Sequence, residues 1–353
     1  MDMDVTKLTE KWALAAGPEN HIVVTSRVRL ARNLAMAPFP PRAEKEGLRR
    51  VAEAVDTLIG KHPELRGFMR VDVGALSPLE RAFLKEGYII SPEMELGGEH
   101  RVLYLDQLRH CVIMINEEDH LRMYCLRAGL QTDPSLEEIS RIDGIFGRAL
   151  NYAFSDKYGY LTTCPSNVGT GMRASVMLHL PGLAMTRQVE EALKAAPPSG
   201  LTVRGYYGEN SEFLGDFYQI SNEVTLGRTE GEIVTVLQGM IRQVIERETA
   251  ARKHLFQRKQ TYVEDVIWRA YGALTHARIM NSTEACKLLS PMRLGIERGY
   301  FSTLSHHELS QLIVAVQPAH IQLSAGSQTG AEERDVARAQ FLRSKFSRLD
   351  ANN

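Results

Sequence analysis

Two kinds of side chain recur at the ends of β-like runs in this 353-residue sequence: arginines beside glycine-containing loops, and clustered carboxylates. Ser26-Arg27-Val28-Arg29 closes the first run, and strand alternation puts Arg27 and Arg29 on one face. Arg122 follows an acidic turn, Arg173 follows Asn167-Val168-Gly169-Thr170-Gly171, and Arg204 precedes Gly205. Arginine stays charged and clamps phosphate oxygens through paired N–H donors. Singly, each of these is a surface arginine at a strand end. Their recurrence beside loops is what a binding site requires. The sequence has no G-x-x-x-x-G-K-[ST] loop, no protein-kinase motif set and no G-x-S-x-G elbow. A nucleotide site here must therefore hold phosphates with side chains.

The acidic groups match a guanidinium acceptor. Asn116-Glu117-Glu118-Asp119-His120 follows the apolar run Cys111–Ile115. Three adjacent carboxylates repel one another and gain little as structure, although a solvated acidic turn is an equal alternative. Glu209 and Glu212 flank Asn210-Ser211. Two separated carboxylates can fix a guanidinium plane and draw off its proton. Cys164, in Thr163-Cys164-Pro165-Ser166-Asn167, reads first as a small buried hydrophobe and second as a thiol activated by nearby arginines. His306-His307 reads as an exposed helix start, and no metal-ligating side-chain set is expected.

These groups need a scaffold of strands. His21–Val28, Arg101–Leu105, Cys111–Ile115, Ala174–Leu180 and Leu201–Val203 are rich in β-branched or large apolar residues. Ser77 with Glu80, Thr229 with Glu232 and Ser305 with Glu308 read as capping boxes, the second opening a helix toward His254. Strands and helices do not alternate regularly, so an α+β fold with a mixed or antiparallel sheet is expected. After Arg258 only helices are expected: Tyr262–Ala277, Thr283–Leu289, Ser305–Ala315 and Ala331–Phe346, with Gln322–Gly330 a polar loop. The division is residues 1–258 as catalytic domain and 259–353 as an all-helical domain. With 42 Lys+Arg against 43 Asp+Glu, general nucleic-acid coating and polybasic membrane binding are not expected. No apolar run spans a membrane, Met1–Lys11 lacks a signal-peptide core, and four widely spaced cysteines suggest free thiols in a reducing cytoplasm.

Four ordered segments resemble the catalytic domain of the phosphagen (guanidino) kinases: SRVRLARNL from Ser26, NEEDHLR from Asn116, CPSNVGTGMRASV from Cys164, and RGYYGENSE with ISNEVTLG from Arg204 onward. The resemblance implies a phosphagen-kinase-like, largely antiparallel sheet and ATP with Mg²⁺ as cofactors. It puts phosphate-gripping arginines on Arg27, Arg29, Arg122 and Arg173, within a nucleotide site that also takes in Ser26, Val28, Ala174, Ser175, Val176, Arg204, Gly205, Tyr206, Tyr207, Gly208 and Glu209. The guanidinium-orienting carboxylates fall on Glu118 and Glu212, and the reactive cysteine on Cys164. Tyr207 stands where the family has a further phosphate-binding arginine.

Only twenty-five residues precede Ser26, so the helical lid of small-molecule phosphagen kinases is expected to be missing. With the helical C-terminal part, this resembles the branch of bacterial protein-arginine kinases (McsB type). Its signature R-D-x-x-R-A appears as Arg334, Asp335, Val336, Ala337, Arg338 and Ala339. The resemblance implies an allosteric phosphoarginine site there, with Arg338 clamping phosphate and Asp335 accepting guanidinium N–H bonds. It also implies protein substrates with exposed arginines, marking for a Clp protease, heat-shock control, a zinc-finger activator protein, a heat-shock repressor and a homo-oligomer (dimer). A kinase for free arginine, or a non-catalytic phosphoarginine-binding adaptor, are the alternatives.

Overall fold

The computed structural model describes residues 16–107, 110–205, 214–326 and 330–346. The strands are β1 (Val23–Arg32), β2 (Met69–Asp72), β3 (Val102–Leu105), β4 (Cys111–Ile115), β5 (Leu121–Ala128), the small hairpin β6 (Phe154–Ser155) and β7 (Gly159–Tyr160), β8 (Met172–His179), β9 (Leu201–Arg204) and β10 (Phe217–Asn222). Eight of them form one sheet in the order β2-β3-β4-β5-β1-β8-β10-β9. Each pairing in it is antiparallel, so the sheet is antiparallel rather than mixed. Strands β5, β1 and β8, which carry Arg122, Arg27 with Arg29, and Arg173, lie side by side at its centre; β5 was not among the expected strands.

The helices are α1 (Lys45–Lys61), α2 (Pro78–Glu86), α3 (Pro92–Glu95), α4 (Thr132–Ala149), α5 (Pro181–Met185), α6 (Val189–Leu193), α7 (Glu230–Arg258), α8 (Gln260–His276), α9 (Ser282–Glu297), α10 (His306–Ala315), α11 (Pro318–Ala325) and α12 (Ala331–Phe346). The three capping boxes form as expected. Alternation gives the sheet two faces. On the back face Val28, Leu30, Ala174 and Val176 pack with Val51 and Val55 of α1, Ile139 and Ile142 of α4, and Leu237 and Ile241 of α7. On the front face Val71, Leu103, Met114, Leu126 and Met177 join one apolar cluster with α2 and with Ile267, Leu289, Ile313 and Leu342 of α8, α9, α10 and α12. The helical C-terminal region thus roofs part of the face that bears the arginines. No helix among the described residues is long and apolar enough to cross a membrane.

Several expectations are corrected. Gln322–Ala325 is helical, not loop: α11 starts at Pro318, and the Glu86 carboxylate of α2 accepts from the Ala319 and His320 N–H groups at 3.0 and 3.2 Å. That cap comes from another element, so the local sequence does not carry it. Helix α7 runs past His254 to Arg258, and α9 runs past Leu289 and through Pro291 to Glu297. The cysteines are not all free thiols. Cys111 and Cys125, directly opposite in the β4–β5 register with Cα atoms 4.2 Å apart, form a disulfide. A separation of 14 residues is wide in the chain yet closed by one hairpin.

Candidate active site

The front face of the three central strands gathers the arginines. Register sets Arg29 opposite Arg173 on one side and Tyr124 on the other, Arg27 opposite Ser175, and Arg122 two residues before Tyr124 on β5. Four half-buried guanidinium groups therefore share one surface. Burial lowers the Arg27 pKa, with the Arg122 and Arg173 charges adding to the effect. It lowers that of Arg29 further, with Arg122, Arg27 and Arg173 all opposing its charge. No ion pair to Arg27 or Arg29 is present among the described residues. Crowded cations with this little compensation favour a polyanion.

Parity turns some side chains of the expected nucleotide segments away from the arginine face. Ser26, Val28, Ala174 and Val176 point their side chains to the back face; Ser26 Oγ donates to the Gly129 carbonyl at 2.7 Å and accepts from the Gln131 N–H at 3.0 Å. A one-residue step along a strand turns a side chain away from the site. Arg32 on the same strand obeys the rule too: it is fully buried on the back face against Asp143, at 2.8 Å, with its guanidinium 3.5 Å from the Tyr160 ring centre. Arg204 pairs in register with Gln219, and through Gln219 with Met177, so it lies on the front face; Gly205 follows it, buried. Tyr206, Tyr207, Gly208, Glu209 and Glu212 lie outside the described residues.

The acidic turn is far from a solvated loop. Asn116 adopts φ 58°, and its side-chain amide donates to the Leu48 and His100 carbonyls, both at 2.9 Å. The three carboxylates after it take different roles. Glu117 is buried, ion-paired with Arg122 and hydrogen-bonded by the Ser91 hydroxyl. Burial would raise its pKa, but the Arg122 guanidinium wins and holds it at about 2. Asp119 is buried and accepts from Asn33 Nδ2 at 2.6 Å and from the Thr163 N–H at 2.7 Å. Glu118 alone is half-open, and burial followed by the Asp119 and Glu117 charges raises its pKa. A carboxylate with raised pKa is the stronger proton acceptor.

Asn33 and Thr163 were not singled out from the sequence, yet with Asp119 and His120 they hold this turn in place. Asn33 Oδ1 accepts from the His120 N–H at 2.9 Å, and Thr163 Oγ1 donates to the Glu118 carbonyl at 2.8 Å. His120 Nδ1 accepts from the Leu34 N–H at 3.0 Å, which leaves Nε2–H to donate to the Pro38 carbonyl at 3.1 Å. Burial lowers the His120 pKa to about 4, so it stays neutral and structural. Asn33 follows the strand that carries Arg29, whereas Thr163 comes from the loop after β7 and carries no such positional signal.

Thr163 brings Cys164 beside Glu118. Cys164 is partly exposed, with Sγ 3.0 Å from Ser166 Oγ, and is not the buried hydrophobe that was the first reading. Thr225 Oγ1 donates to the Val168 carbonyl at 2.7 Å and holds the following loop. Gly169, at φ +112°, has no room for a Cβ, which would lie 2.4 Å from the Thr225 carbonyl oxygen. Cys286, by contrast, is buried, and burial raises its pKa to about 11.

The Arg334–Ala339 segment lies apart on α12. Arg338 is buried rather than exposed: Nε donates to the Val316 carbonyl at 2.6 Å, and Nη1 to the Met280 carbonyl at 2.9 Å and Asp335 at 2.5 Å. Its Nε and Nη1 are committed to these partners, so a phosphate would meet it through Nη2 or by exchanging one of these bonds. Asp335 and Ala337 are half-exposed, Val336 is exposed and Ala339 is buried in the helical core. His306, at the start of α10, is largely buried, and burial with the Arg293 and Arg252 charges lowers its pKa to about 3.

The Glu117–Arg122 pair supports a stability prediction. A carboxylate depressed to about 2 adds stability above its unfolded pKa, and that stability fades as pH falls from about 4 toward 2. Glu117→Gln leaves Arg122 only the longer contact to Glu93, at 3.9 Å, and should cost about 3 kcal/mol near neutral pH. Urea unfolding near neutrality and near pH ~3 should show the gap between variant and wild type shrinking at the lower pH. A gap of constant size would show that packing, not charge, makes the contribution.

An arginine-lined sheet face beside an activated carboxylate defines a phosphotransferase with a guanidino acceptor. The family model described as "ATP:guanido phosphotransferase, C-terminal catalytic domain" matches residues 50–251, and "Protein-arginine kinase McsB C-terminal domain" matches residues 260–353. The chain belongs to the protein-arginine kinase family. It is 44% identical over 341 residues to the protein-arginine kinase of Pelotomaculum thermopropionicum, covering 96% of each chain. Against that of Halothermothrix orenii it is 42% identical, covering 97% of this chain and 98% of the other. Among solved structures, the duplicated taurocyamine kinase from Schistosoma mansoni with bound transition state analog components is similar at TM-score 0.59 and 25% identity, over 66% of this chain and 34% of that one. This chain therefore spans about a third of that kinase's length. Lombricine kinase is similar in fold at TM-score 0.58 and 24% identity, over 69% and 71% of the two chains.

Proposed function

We propose that the protein transfers the γ-phosphoryl group of ATP, bound with Mg²⁺, to arginine side chains of protein substrates, with Arg27, Arg29, Arg122 and Arg173 neutralising the phosphates. The reading is carried by one observation: the crowded guanidinium groups of the sheet face lie beside Glu118, whose pKa is raised. In-line transfer needs positioning and charge neutralisation above all. Glu118 takes the proton from a guanidinium nitrogen; that nitrogen forms the N–P bond as the bond to the β–γ bridging oxygen breaks and ADP leaves. Glu212 is the second carboxylate proposed to fix the guanidinium plane. Cys164, next to this turn, lies where ATP should shield it from alkylation.

The further roles follow from family resemblance: marking of substrates for a Clp protease, heat-shock control, a zinc-finger activator and a heat-shock repressor as partners, dimer formation, and regulation by phosphoarginine at Arg334, Asp335 and Arg338. The half-exposed Asp335 carboxylate supports the last of these. The test is intact-protein mass spectrometry of a substrate mixture with ATP and Mg²⁺, in parallel with free arginine. Acid-labile phosphate on protein arginines, with free arginine a far poorer acceptor, is the expected result. Preference for free arginine would make the chain a small-molecule kinase, and no transfer to either would favour the adaptor reading.

A further inference from the structure

Helix α10 lies over the end of the arginine face. Its Ser310 and Ile313 face Arg27, Ser175, Met177 and Gln219 of the sheet across a small pocket. The sheet side of this pocket continues the row that carries Arg27 and Ser175, so a nucleotide whose phosphates meet the arginines has its base directed toward α10. The lining suits a base: Met177 and Ile313 offer apolar surface, and the Gln219 amide presents a donor and an acceptor, the pattern that pairs with an adenine edge. The pocket is small and partly open, with about 30 Å³ available to the centre of a water-sized molecule.

Helix α10 is held at both ends by buried arginines. Arg293 of α9 donates to the His306 carbonyl at 3.2 Å, to Ser310 Oγ at 3.1 Å, and to the Asn20 carbonyl ahead of β1 at 2.8 Å. Arg338 of α12 donates to the carbonyl of Val316, the residue that ends α10. We propose that α10 forms one wall of the nucleotide-base pocket, with Ser310 and Ile313 setting its fit, so that the helical region governs nucleotide affinity. The proposal rests on the nucleotide reading of the arginine face. It extends that reading to a residue class outside the catalytic sheet, and it places Arg338 where a change in its bonding moves the wall.

The experiment compares binding of ATP and of inorganic tripolyphosphate to the full-length chain, because tripolyphosphate can use the arginine face but has no base. Ile313→Trp fills the pocket and should weaken ATP by about tenfold or more while leaving tripolyphosphate within about twofold. Ile313→Ala removes three carbons of that apolar surface and should weaken ATP by about threefold, again without moving tripolyphosphate. Thermal unfolding establishes that each variant is folded, and the alanine variant stands alone if the tryptophan does not fold. Unchanged ATP affinity in the folded variants, or equal changes for ATP and tripolyphosphate, overturns the wall. Failure of the wild type to bind tripolyphosphate overturns the arginine-face reading beneath it, and the wall with it.

Discussion

Glu118→Gln should bind ATP as the wild type does and lose about a thousandfold in phosphoryl transfer, within the range by which a positioned general base accelerates a reaction. The acceptor guanidinium has a pKa above ~12 and is a poor nucleophile while it holds its protons. Of the three carboxylates in the turn, Glu117 is committed to Arg122 and Asp119 to Asn33 and Thr163. Glu118 remains half-open, its backbone fixed by Glu117 Oε2 on its N–H at 2.8 Å and by Thr163 on its carbonyl. Its raised pKa sets the sign of the pH dependence. The base works when deprotonated, so activity should fall as pH drops through that pKa, at a higher pH than the ~4.3 of an ordinary glutamate. Glutamine keeps the shape and hydrogen-bonding size but accepts no proton. Direct ATP titration and single-turnover transfer separate binding from chemistry. Near-normal transfer by the variant would remove Glu118 from the mechanism.

Much of this site was legible in the sequence because strand period is strict. Arg27 and Arg29, two residues apart, had to share a face, and they do. Cross-strand register is not written in any one segment, so the meeting of Arg29 with Arg173 became visible only once β1 and β8 were paired. The same parity sends the side chains of Ser26, Val28, Ala174 and Val176 to the back face, so at these positions only backbone groups can meet a ligand on the front face. The acidic turn was read as a cluster, but its division of labour depends on Ser91, Asn33 and Thr163, which arrive from three other places in the chain. The Cys111–Cys125 bond and the Glu86 cap on α11 failed to appear for one reason: both join segments through tertiary register rather than local spacing. The burial of Arg338 was not legible either, because helix spacing says which residues share a face but not what that face meets.

Arg29→Met should raise thermal stability and abolish function together. Burial and the charges of Arg122, Arg27 and Arg173 lower the Arg29 pKa well below its ordinary value, which means that the folded state disfavours its charge. A methionine of similar length keeps the packing and removes that charge. Replacing poorly compensated charge by an apolar side chain can gain roughly 1–2 kcal/mol, enough for a measurable rise in Tm. Transfer, on the other hand, should fall by at least about a hundredfold, since the lost guanidinium is one of those proposed to neutralise the migrating phosphoryl. The two effects have one origin: a site built to receive a polyanion is strained until the anion arrives. ATP should therefore raise the Tm of the wild type more than that of the variant, because ligand binding to the native state adds stability in proportion to its affinity. Lowered stability in Arg29→Met would mean that the arginine is a structural clamp like Arg32, and retained turnover would mean that the phosphates lie elsewhere. The variant thus distinguishes a binding cation from a structural one within a single strand, where Arg29 and Arg32 stand three residues apart on opposite faces.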